Sequence, residues 1–198
     1  MNALENWFCS TAFWQRITQR KLLPWILYGV DLGDHMLELG SGPGAATEEL
    51  VRRAPRVTSI EYSHLFAANL AANLAAQRRS THSHSSQQAT IVQGDAASLP
   101  FADATFSSAI AVLMLHHLQS AEQQRRASCE VHRVLRPGGI FLGFEIHDGW
   151  LQRAIHRHST FVPVAQKSIP ALLTEAGFDR ITTDSGLGIF RFHATRSA

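Results

Sequence analysis

The chain has 198 residues, of which 45% are hydrophobic and 17% are charged, and its formal net charge is +2 with neutral histidines. This composition is typical of a folded globular protein and excludes a disordered chain, and the small charge gives no reason to expect nucleic acid or an acidic membrane as a partner. The two cysteines, Cys9 and Cys129, are too few for a disulfide framework. No apolar run approaches the ~20 residues of a membrane span and the N-terminus lacks a secretory signal, so we expect a cytoplasmic protein without a transmembrane segment.

The length predicts a single domain over residues 1–198, in three consecutive parts. Residues 1–31 are rich in aromatic side chains and predict a helical segment whose apolar face packs on the core or also covers a ligand pocket. Residues 32–145 form the central part of the fold. Residues 146–198 hold a short cap segment and the last strands.

Strands and helices alternate from Met36 onward, with short apolar runs as strands and longer runs rich in Ala and Glu as helices. The predicted strands are Met36–Leu39, Val57–Glu61, Ala89–Gln93, Ser107–Val112, Ile140–Glu145 and two late segments near Arg180–Thr183 and Ile189–Ala194. The predicted helices are Ala45–Arg53, Ser63–Arg78, Glu122–Leu135 and Ile169–Ala176, and the run Arg136–Gly139 is a predicted turn. This alternation predicts an α/β fold with a mostly parallel sheet covered by helices on both faces.

The segment Ser80–Gln88 reads STHSHSSQQ and predicts a solvated loop between a helix and a strand. His82 and His84 are potential metal ligands in this segment. No cysteine or carboxylate lies near them in the sequence, so we predict no metal site there.

The most informative stretch is Met36–Gly44, MLELGSGPG, in which an apolar strand containing Glu38 is followed by glycines at alternate positions. Glycine at a strand-to-helix turn adopts backbone angles closed to other residues and lets a ligand lie against bare main chain. The carboxyl ends of parallel strands meet at one edge of a sheet. Glu61 and Asp95, which follow the next two strands, should therefore lie near this turn.

Two ligands fit a glycine turn with these neighbours. Gly40, Gly42 and Ala45 also satisfy the dinucleotide pattern G-x-G-x-x-G/A, with Glu61 as the ribose-binding acid, which would make the protein a nicotinamide-dependent oxidoreductase. The carboxylate of Glu38 argues against this alternative, because it would repel a pyrophosphate and attract a cationic ligand. The segment that begins at Gly94, GDAASLPFADATFSSAI, also has no counterpart in the dinucleotide scheme.

Five motifs in order, ELGSGPG, IEYS, GDAASLPFADATFS, LMLHHL and EVHRVLRPGG, resemble the class I S-adenosylmethionine-dependent methyltransferases. Within that class the chain is similar to the methyltransferase type 11 branch, which includes ubiquinone/menaquinone C-methyltransferase-like proteins. The resemblance covers about residues 32–145. It implies a Rossmann-like, seven-stranded, mostly parallel sheet with helices on both faces and the last strands in an antiparallel hairpin, with S-adenosylmethionine as the cofactor. A non-catalytic protein that binds this cofactor for regulation is an alternative.

The resemblance also implies a role for each residue of the motifs. Glu38 would face the methionine amino group, where family members often carry aspartate. The glycine turn and the fourth strand would line the cofactor pocket, through Gly40, Ser41, Gly42, Gly44, Ala111 and Val112. Around the nucleoside, Glu61 would accept from the ribose hydroxyls, Tyr62 would lie beside the adenine, and Asp95 with the backbone of Ala96 would bind the adenine amino group.

His116 is the candidate catalytic residue. It follows the fourth strand, near the expected position of the methyl group, and would either remove a proton from the acceptor or line the acceptor pocket. A sulfonium donor leaves as a neutral thioether, so the enzyme mainly aligns the reactants and excludes water. We expect His117 to be structural.

The sequence predicts a small-molecule methyl acceptor. The N-P-P-Y tetrapeptide typical of enzymes that methylate base amino groups is absent after the fourth strand, where the chain reads AVLML, and no basic stripe is evident. We therefore expect no nucleic acid partner. The cover of the pocket would come from the aromatic N-terminus and from residues 146–166. No metal is expected, and the sequence predicts no particular oligomeric state.

Overall fold

The computed structural model describes residues 7, 9–81, 88–157, 159–186 and 188–197. His82 and His84, with most of the predicted polar loop, lie outside the described residues. Seven strands form one sheet: β1 His35–Leu39, β2 Arg56–Glu61, β3 Gln88–Gln93, β4 Phe106–Val112, β5 Leu135–Ile146, β6 Phe178–Gly186 and β7 Ile189–Arg196. Each predicted strand is present, and the observed strands are longer at one or both ends.

The strand order is β3-β2-β1-β4-β5-β7-β6. Strands β1 to β5 run parallel, and β7 is antiparallel to its neighbours β5 and β6. The seven-stranded, mostly parallel sheet with an antiparallel end is therefore confirmed. Leu39 at the end of β1 pairs with Ile60 of β2 and Ala111 of β4, so the carboxyl ends of three strands are level. Strand order reverses between β1 and β4, where doubly wound sheets bind their ligands.

Helices connect and cover the strands: α1 Ala12–Ile17, α2 Leu23–Ile26, α3 Thr47–Arg53, α4 His64–Thr81, α5 Ala121–Val134, α6 Trp150–Ile155 and α7 Ile169–Glu175. Single turns of 3₁₀-helix cover Leu115–His117 and Gln166–Ser168. Within the part of the chain that the structure describes, no helix combines the length and the apolar character that crossing a lipid bilayer requires.

Two hydrophobic clusters occupy the two faces of the sheet. Successive residues of a strand point to opposite faces, and accordingly Phe141 of β5 packs with Leu37 and Leu39 of β1, whereas Leu142 packs in the other cluster with Met36. The first cluster is completed by α5 and α7 through Ala127, Val131, Val134, Ile169 and Leu173. The second is completed by α2 and α3 through Leu23, Ile26 and Leu50. The predicted packing of the N-terminal segment on the core is therefore confirmed.

A π-helical turn, Thr18–Leu22, joins α1 to α2. Such turns insert an extra residue into a helix and occur frequently at functional sites. The side-chain amide of Gln19 in this turn donates to the carbonyl oxygen of Ala45 and to Oε2 of Glu48, both at 3.3 Å. The N-terminal segment thus contacts the start of α3, directly after the glycine turn.

The run Arg136–Gly139 differs from its predicted form as a turn that precedes β5. The strand begins earlier, with Leu135 paired to Phe106, and pairing resumes five residues later with Ile140 opposite Ser108. The intervening residues form an irregularity within the strand. Its proline lacks an N–H for the ladder, and its first glycine has a φ of +78°, so regular pairing is not available there.

Candidate active site

Three buried glutamates lie at the carboxyl edge of the sheet. Glu38 is the next-to-last residue of β1, Glu61 ends β2, and Glu145 is the next-to-last residue of β5. Their exposed fractions are 1%, 8% and 1%. Removing a carboxylate from water is costly unless hydrogen bonds or positive charge replace the lost hydration. Each of the three has such hydrogen bonds, and together they make this edge negative.

The glycine turn follows β1 at the same edge. Gly40, Gly42 and Gly44 all have positive φ, at +70°, +50° and +92°. A Cβ on Gly40 would lie 2.4 Å from Cγ of Met114, and one on Gly44 would lie 2.5 Å from Cδ1 of Leu70, so these two glycines permit close packing. A Cβ on Gly42 would meet nothing within 4 Å. Gly42 therefore presents bare main chain to open space.

Ser41 lies between two of these glycines and has a buried hydroxyl with no hydrogen-bond partner among the described residues. Its carbonyl oxygen accepts from the N–H of Gly44 at 2.9 Å, which closes the turn. Buried hydroxyls almost always have a partner in native proteins. The unpaired Oγ within the glycine turn is therefore available to a polar group of a ligand.

Glu38 is held by two hydroxyl groups. Its Oε2 accepts from Oγ1 of Thr47 at 2.7 Å and from Oγ of Ser59 at 2.5 Å. Burial raises the pKa of Glu38 to about 7, the two hydrogen bonds oppose this rise, and the nearby charge of Glu61 adds to it. A cation placed beside this carboxyl would favour its ionised form.

Glu61 connects β2 to the glycine turn. Its Oε2 accepts from the backbone N–H of Gly42 at 2.8 Å, and its Oε1 accepts from the backbone N–H of Ser63, also at 2.8 Å. The carbonyl oxygen of Glu61 accepts from the N–H of Gly94, which follows β3. One residue therefore joins three of the segments that the sequence assigned to the site.

The predicted adenine-binding residues lie at the ends of β2 and β3. Asp95 forms a local turn, in which its Oδ1 accepts from the N–H of Ala97 at 2.8 Å and its backbone bridges to Ser98. Ala96 within that turn is nearly buried, at 9% exposure. The ring of Tyr62, directly after Glu61, is 73% exposed.

The end of β4 forms the wall beside the glycine turn. Ala111 is fully buried and pairs with Leu39, and Val112 is the last residue of the strand. Leu113 then takes a φ of +51°, a left-handed conformation that costs a non-glycine residue ~1–2 kcal/mol. Met114 follows it and contacts Gly40. The strained residue therefore lies where the strand turns toward the glycine turn.

His116 lies in the 3₁₀ turn after β4 and is paired with Glu145. Nδ1 of His116 and Oε2 of Glu145 are 2.5 Å apart, and Oε1 of Glu145 accepts from the N–H of Leu115 at 2.7 Å. Both side chains are buried, at 3% and 1% exposure. A carboxylate accepts, so Nδ1 of His116 carries a hydrogen, and in the neutral form of the ring Nε2 carries the lone pair.

His117 and His156 extend this pair into a cluster of three histidines with one aromatic neighbour. The ring centroids of His116 and His117 are 4.2 Å apart, and the ring of His156 stacks on Phe161 at 4.5 Å. Burial, with the neighbouring His116 and His156, lowers the pKa of His117 to about 3. The ring of His117 is therefore neutral at pH 7.

Several of these residues were not found from the sequence. Glu145 was detectable, because it ends an apolar strand next to β4 as Glu38 ends β1. Thr47 and Ser59 gave no signal, because hydroxyl groups are common in helices and strands. His156 was noted only as part of the cap segment, and nothing in that segment predicts which residue reaches His116.

A separate cavity of about 460 Å³ lies at the opposite edge of the sheet. It is lined by Gly33 and Ser107, near the starts of β1 and β4, and by His193 of β7. Nε2 of His193 is already within hydrogen-bond distance of the carbonyl oxygen of Ile26, at 3.1 Å. None of the predicted site residues lines this cavity, so the candidate site is at the carboxyl edge.

Comparison with known proteins identifies the family of this chain. The family described as "Methyltransferase domain" matches residues 37–143, more than half of the chain. The demethylmenaquinone methyltransferase of Thermobifida fusca is 35% identical over 172 residues, which cover 78% of this chain and 69% of that protein. The biotin biosynthesis bifunctional protein BioHC of Teredinibacter turnerae is 27% identical over 84% of this chain, which spans only 30% of that longer protein.

The fold is also found in a solved structure. A SAM-dependent methyltransferase from Methanosarcina mazei superposes with a TM-score of 0.70 at 21% identity, and the match covers 88% of this chain and 97% of the other. The family match decides between the two ligands that fit the glycine turn, in favour of S-adenosylmethionine over a dinucleotide. The chain belongs to the methyltransferase-domain family and is a class I S-adenosylmethionine-dependent methyltransferase.

Proposed function

We propose that this protein transfers the methyl group of S-adenosylmethionine to a small-molecule acceptor that binds beside His116. The proposal rests on the open space over Gly42, whose backbone N–H donates to the carboxylate of Glu61. Met114 contacts Gly40, and His116 follows two residues later in the chain. His116 forms a buried pair with Glu145. The donor and acceptor halves of the site are thus neighbours.

The residues at the edge fit the cofactor. The buried hydroxyl of Ser41 lacks a hydrogen-bond partner among the described residues and can bind a polar group of the cofactor. Gly42 has no side chain, so the cofactor can lie against its main chain. The carboxyl groups of Glu38 and Glu61 favour a ligand that carries a sulfonium and an ammonium over a pyrophosphate, because a cation beside Glu38 favours its ionised form whereas an anion opposes it. When bound, S-adenosylmethionine supplies an electrophilic methyl group whose leaving group is a neutral thioether.

We assign the cofactor-binding residues accordingly. Glu38 binds the ammonium group, and Glu61 accepts from the ribose hydroxyls. Each oxygen of Glu61 already accepts one backbone N–H, and a carboxylate has about four acceptor positions, so two remain for the ribose. The remaining contacts come from the glycine turn, the end of β4 and the turns after β2 and β3, namely Gly40, Ser41, Gly44, Ala111, Val112, Tyr62, Asp95 and Ala96.

The acceptor is proposed to be a small molecule because short elements cover the buried side chain of His116. The N–H of Val162 donates to the carbonyl oxygen of His116 at 2.8 Å, and the side-chain amide of Gln124 donates to the carbonyl oxygens of Leu115 and Val162. These bonds hold the cap segment against the 3₁₀ turn. His116, oriented by Glu145, is the acceptor-side residue.

Two measurements test the proposal. Isothermal titration calorimetry should detect binding of S-adenosylhomocysteine and no comparable binding of NADH. Transfer of a radiolabelled methyl group from S-adenosylmethionine should then be measured to a panel of small molecules that includes demethylmenaquinone, because one relative is named for that acceptor. RNA and protein serve as comparison acceptors. Tight NADH binding alone, or label found only in RNA or protein, would overturn the proposal.

A further inference from the structure

The histidine cluster has the composition and spacing of a metal site. One ring nitrogen each from His116, His117 and His156 lies within 4.8 Å of those of the other two. His116 and His117 belong to the 3₁₀ turn after β4, and His156 follows directly after α6. The cap segment therefore delivers the third histidine to a pair fixed by the sheet.

Nδ1 of each ring is within hydrogen-bond distance of a carboxylate or backbone carbonyl oxygen. Nδ1 of His116 meets Oε2 of Glu145 at 2.5 Å, Nδ1 of His117 meets the carbonyl oxygen of Thr160 at 3.3 Å, and Nδ1 of His156 meets that of Gln152 at 2.7 Å. Such partners place a hydrogen on Nδ1, so that in the neutral form of each ring Nε2 carries the lone pair. Metal-binding histidines in proteins show this arrangement, with a carboxylate or carbonyl fixing the tautomer.

The cluster also has a purely structural interpretation, in which the rings pack with Phe161 as ordinary aromatic side chains. That interpretation accounts for the ring contacts. It gives no reason for one ring nitrogen from each of three histidines to lie within 4.8 Å of the other two. Packing alone is satisfied by apolar rings, whereas a carboxylate on the second ring nitrogen, as Glu145 has on His116, is a usual partner of a metal-binding histidine.

We propose that His116, His117 and His156 bind a divalent transition metal ion, with Zn²⁺ as the first candidate, at the acceptor end of the active site. Three imidazole ligands suit Zn²⁺, and a three-ligand site leaves a fourth tetrahedral position open. Bond lengths of 2.0–2.1 Å place tetrahedral ligand nitrogens about 3.4 Å apart. From the observed limit of 4.8 Å, the separations between these nitrogens must shorten by up to about 1.4 Å.

Metal binding at this site does not depend on the proposed function. The role of the metal toward a methyl acceptor, described next, does rest on the proposed function. The open position would hold water or an oxygen of the acceptor. Nε2 of His116 would then be a ligand rather than a proton acceptor. The role in proton removal that the sequence suggested for His116 would pass to the metal-bound group, and Glu145 would be a positioning residue for its ligand.

Metal binding to the full chain, purified without a histidine tag, tests the proposal directly. Elemental analysis should find about one zinc ion per chain. After chelation, titration with Co²⁺ should give the visible absorption bands of a tetrahedral nitrogen site. His156→Ala should remove the bands, and Glu145→Gln should weaken metal affinity about 10- to 100-fold. Binding of S-adenosylhomocysteine reports folding and the donor site in each variant.

The controls are histidines outside the cluster. His64→Ala, at the exposed start of α4, and the double change His82→Ala with His84→Ala should leave the Co²⁺ bands and the stoichiometry unchanged. A wild-type chain that binds S-adenosylhomocysteine but neither zinc nor cobalt would overturn the metal site and leave the proposed function standing. Equal metal affinity in folded His156→Ala, or loss of metal only in the double variant, would also overturn it. Metal binding without any S-adenosylhomocysteine binding would overturn the proposed function alone.

Discussion

The backbone N–H of Gly42 donates to Oε2 of Glu61 at 2.8 Å, so one carboxylate joins the glycine turn after β1 to the end of β2. The other oxygen of Glu61 accepts from the N–H of Ser63, which leads into α4. The same side chain that is proposed to bind the ribose therefore also holds the turn in place. Changes at Glu61 and Gly42 separate these two roles.

Replacing Glu61 should weaken cofactor binding while the fold persists. Glu61→Ala removes the proposed acceptor of two ribose hydroxyls, and hydrogen bonds to a charged group contribute about 1.5–3 kcal/mol each. We expect the Kd for S-adenosylhomocysteine to rise at least tenfold in calorimetry. Glu61→Gln keeps one acceptor oxygen and should lose less. Glu122→Ala, on the exposed face of α5, is the matched control. An unchanged Kd in folded Glu61→Ala would mean that Glu61 only braces the turn.

Adding a side chain at Gly42 should weaken cofactor binding, an effect that the positive φ of this residue does not explain by itself. Gly29 also has a positive φ, at +72°, and a Cβ there would likewise meet nothing within 4 Å. Gly42→Ala and Gly29→Ala should therefore cost a similar ~1–2 kcal/mol of unfolding free energy. Only Gly42→Ala should weaken S-adenosylhomocysteine binding, by tenfold or more. Equal binding by the two variants would show that Gly42 does not approach the ligand.

Much of the donor half of the site was predictable, because each of its parts is local in sequence. Glycines at alternate positions after an apolar strand define the turn, and Glu38, Glu61 and Asp95 each lie at the end of a strand. Parallel strands then bring these ends to one edge without any further information. The positions of the strands, although not all of their bounds, followed from apolar runs in the same way.

The acceptor half was less predictable, because its contacts join segments that are distant in sequence. The bond between His116 and Glu145 spans 29 residues, and His156 comes from a short helix in a segment without a periodic pattern. The π-helical turn around Gln19 was also missed, since it depends on packing against α3 rather than on local preference. Convergence of side chains in three dimensions leaves little trace in a single sequence.

The raised pKa of Glu38 should make stability depend on pH. The pKa is 4.5 for an ordinary glutamate and about 7 here, so the folded protein binds this proton more tightly than the unfolded chain. The resulting stabilisation is complete below pH 4.5 and is lost as the pH rises to about 7. Glu38→Gln stays neutral and retains an acceptor oxygen for Thr47 and Ser59.

Urea denaturation of the wild type and Glu38→Gln at pH 4.5 and pH 8 measures this effect. The free energy of unfolding of the wild type should fall relative to that of the variant by about 3 kcal/mol between the two values. Titration of other groups is shared by both proteins and cancels in the comparison. A difference that does not change with pH would contradict a raised pKa.

The same carboxyl should make cofactor affinity rise with pH. An ammonium group beside Glu38 requires the ionised form, and below a pKa of about 7 binding must first displace the proton. Below pH 7 the affinity for S-adenosylhomocysteine should therefore decrease as the pH is lowered, by at most about tenfold per pH unit. Above pH 8 the affinity should be constant. Calorimetry at pH 6 in two buffers of different ionisation enthalpy should detect the release of about one proton. Glu38→Gln should bind more weakly at pH 8, lack this pH dependence and release no proton. If the wild type binds equally well at pH 5.5 and pH 8, the ligand's ammonium group lies elsewhere, and Glu38 serves the turn through Thr47 and Ser59 alone.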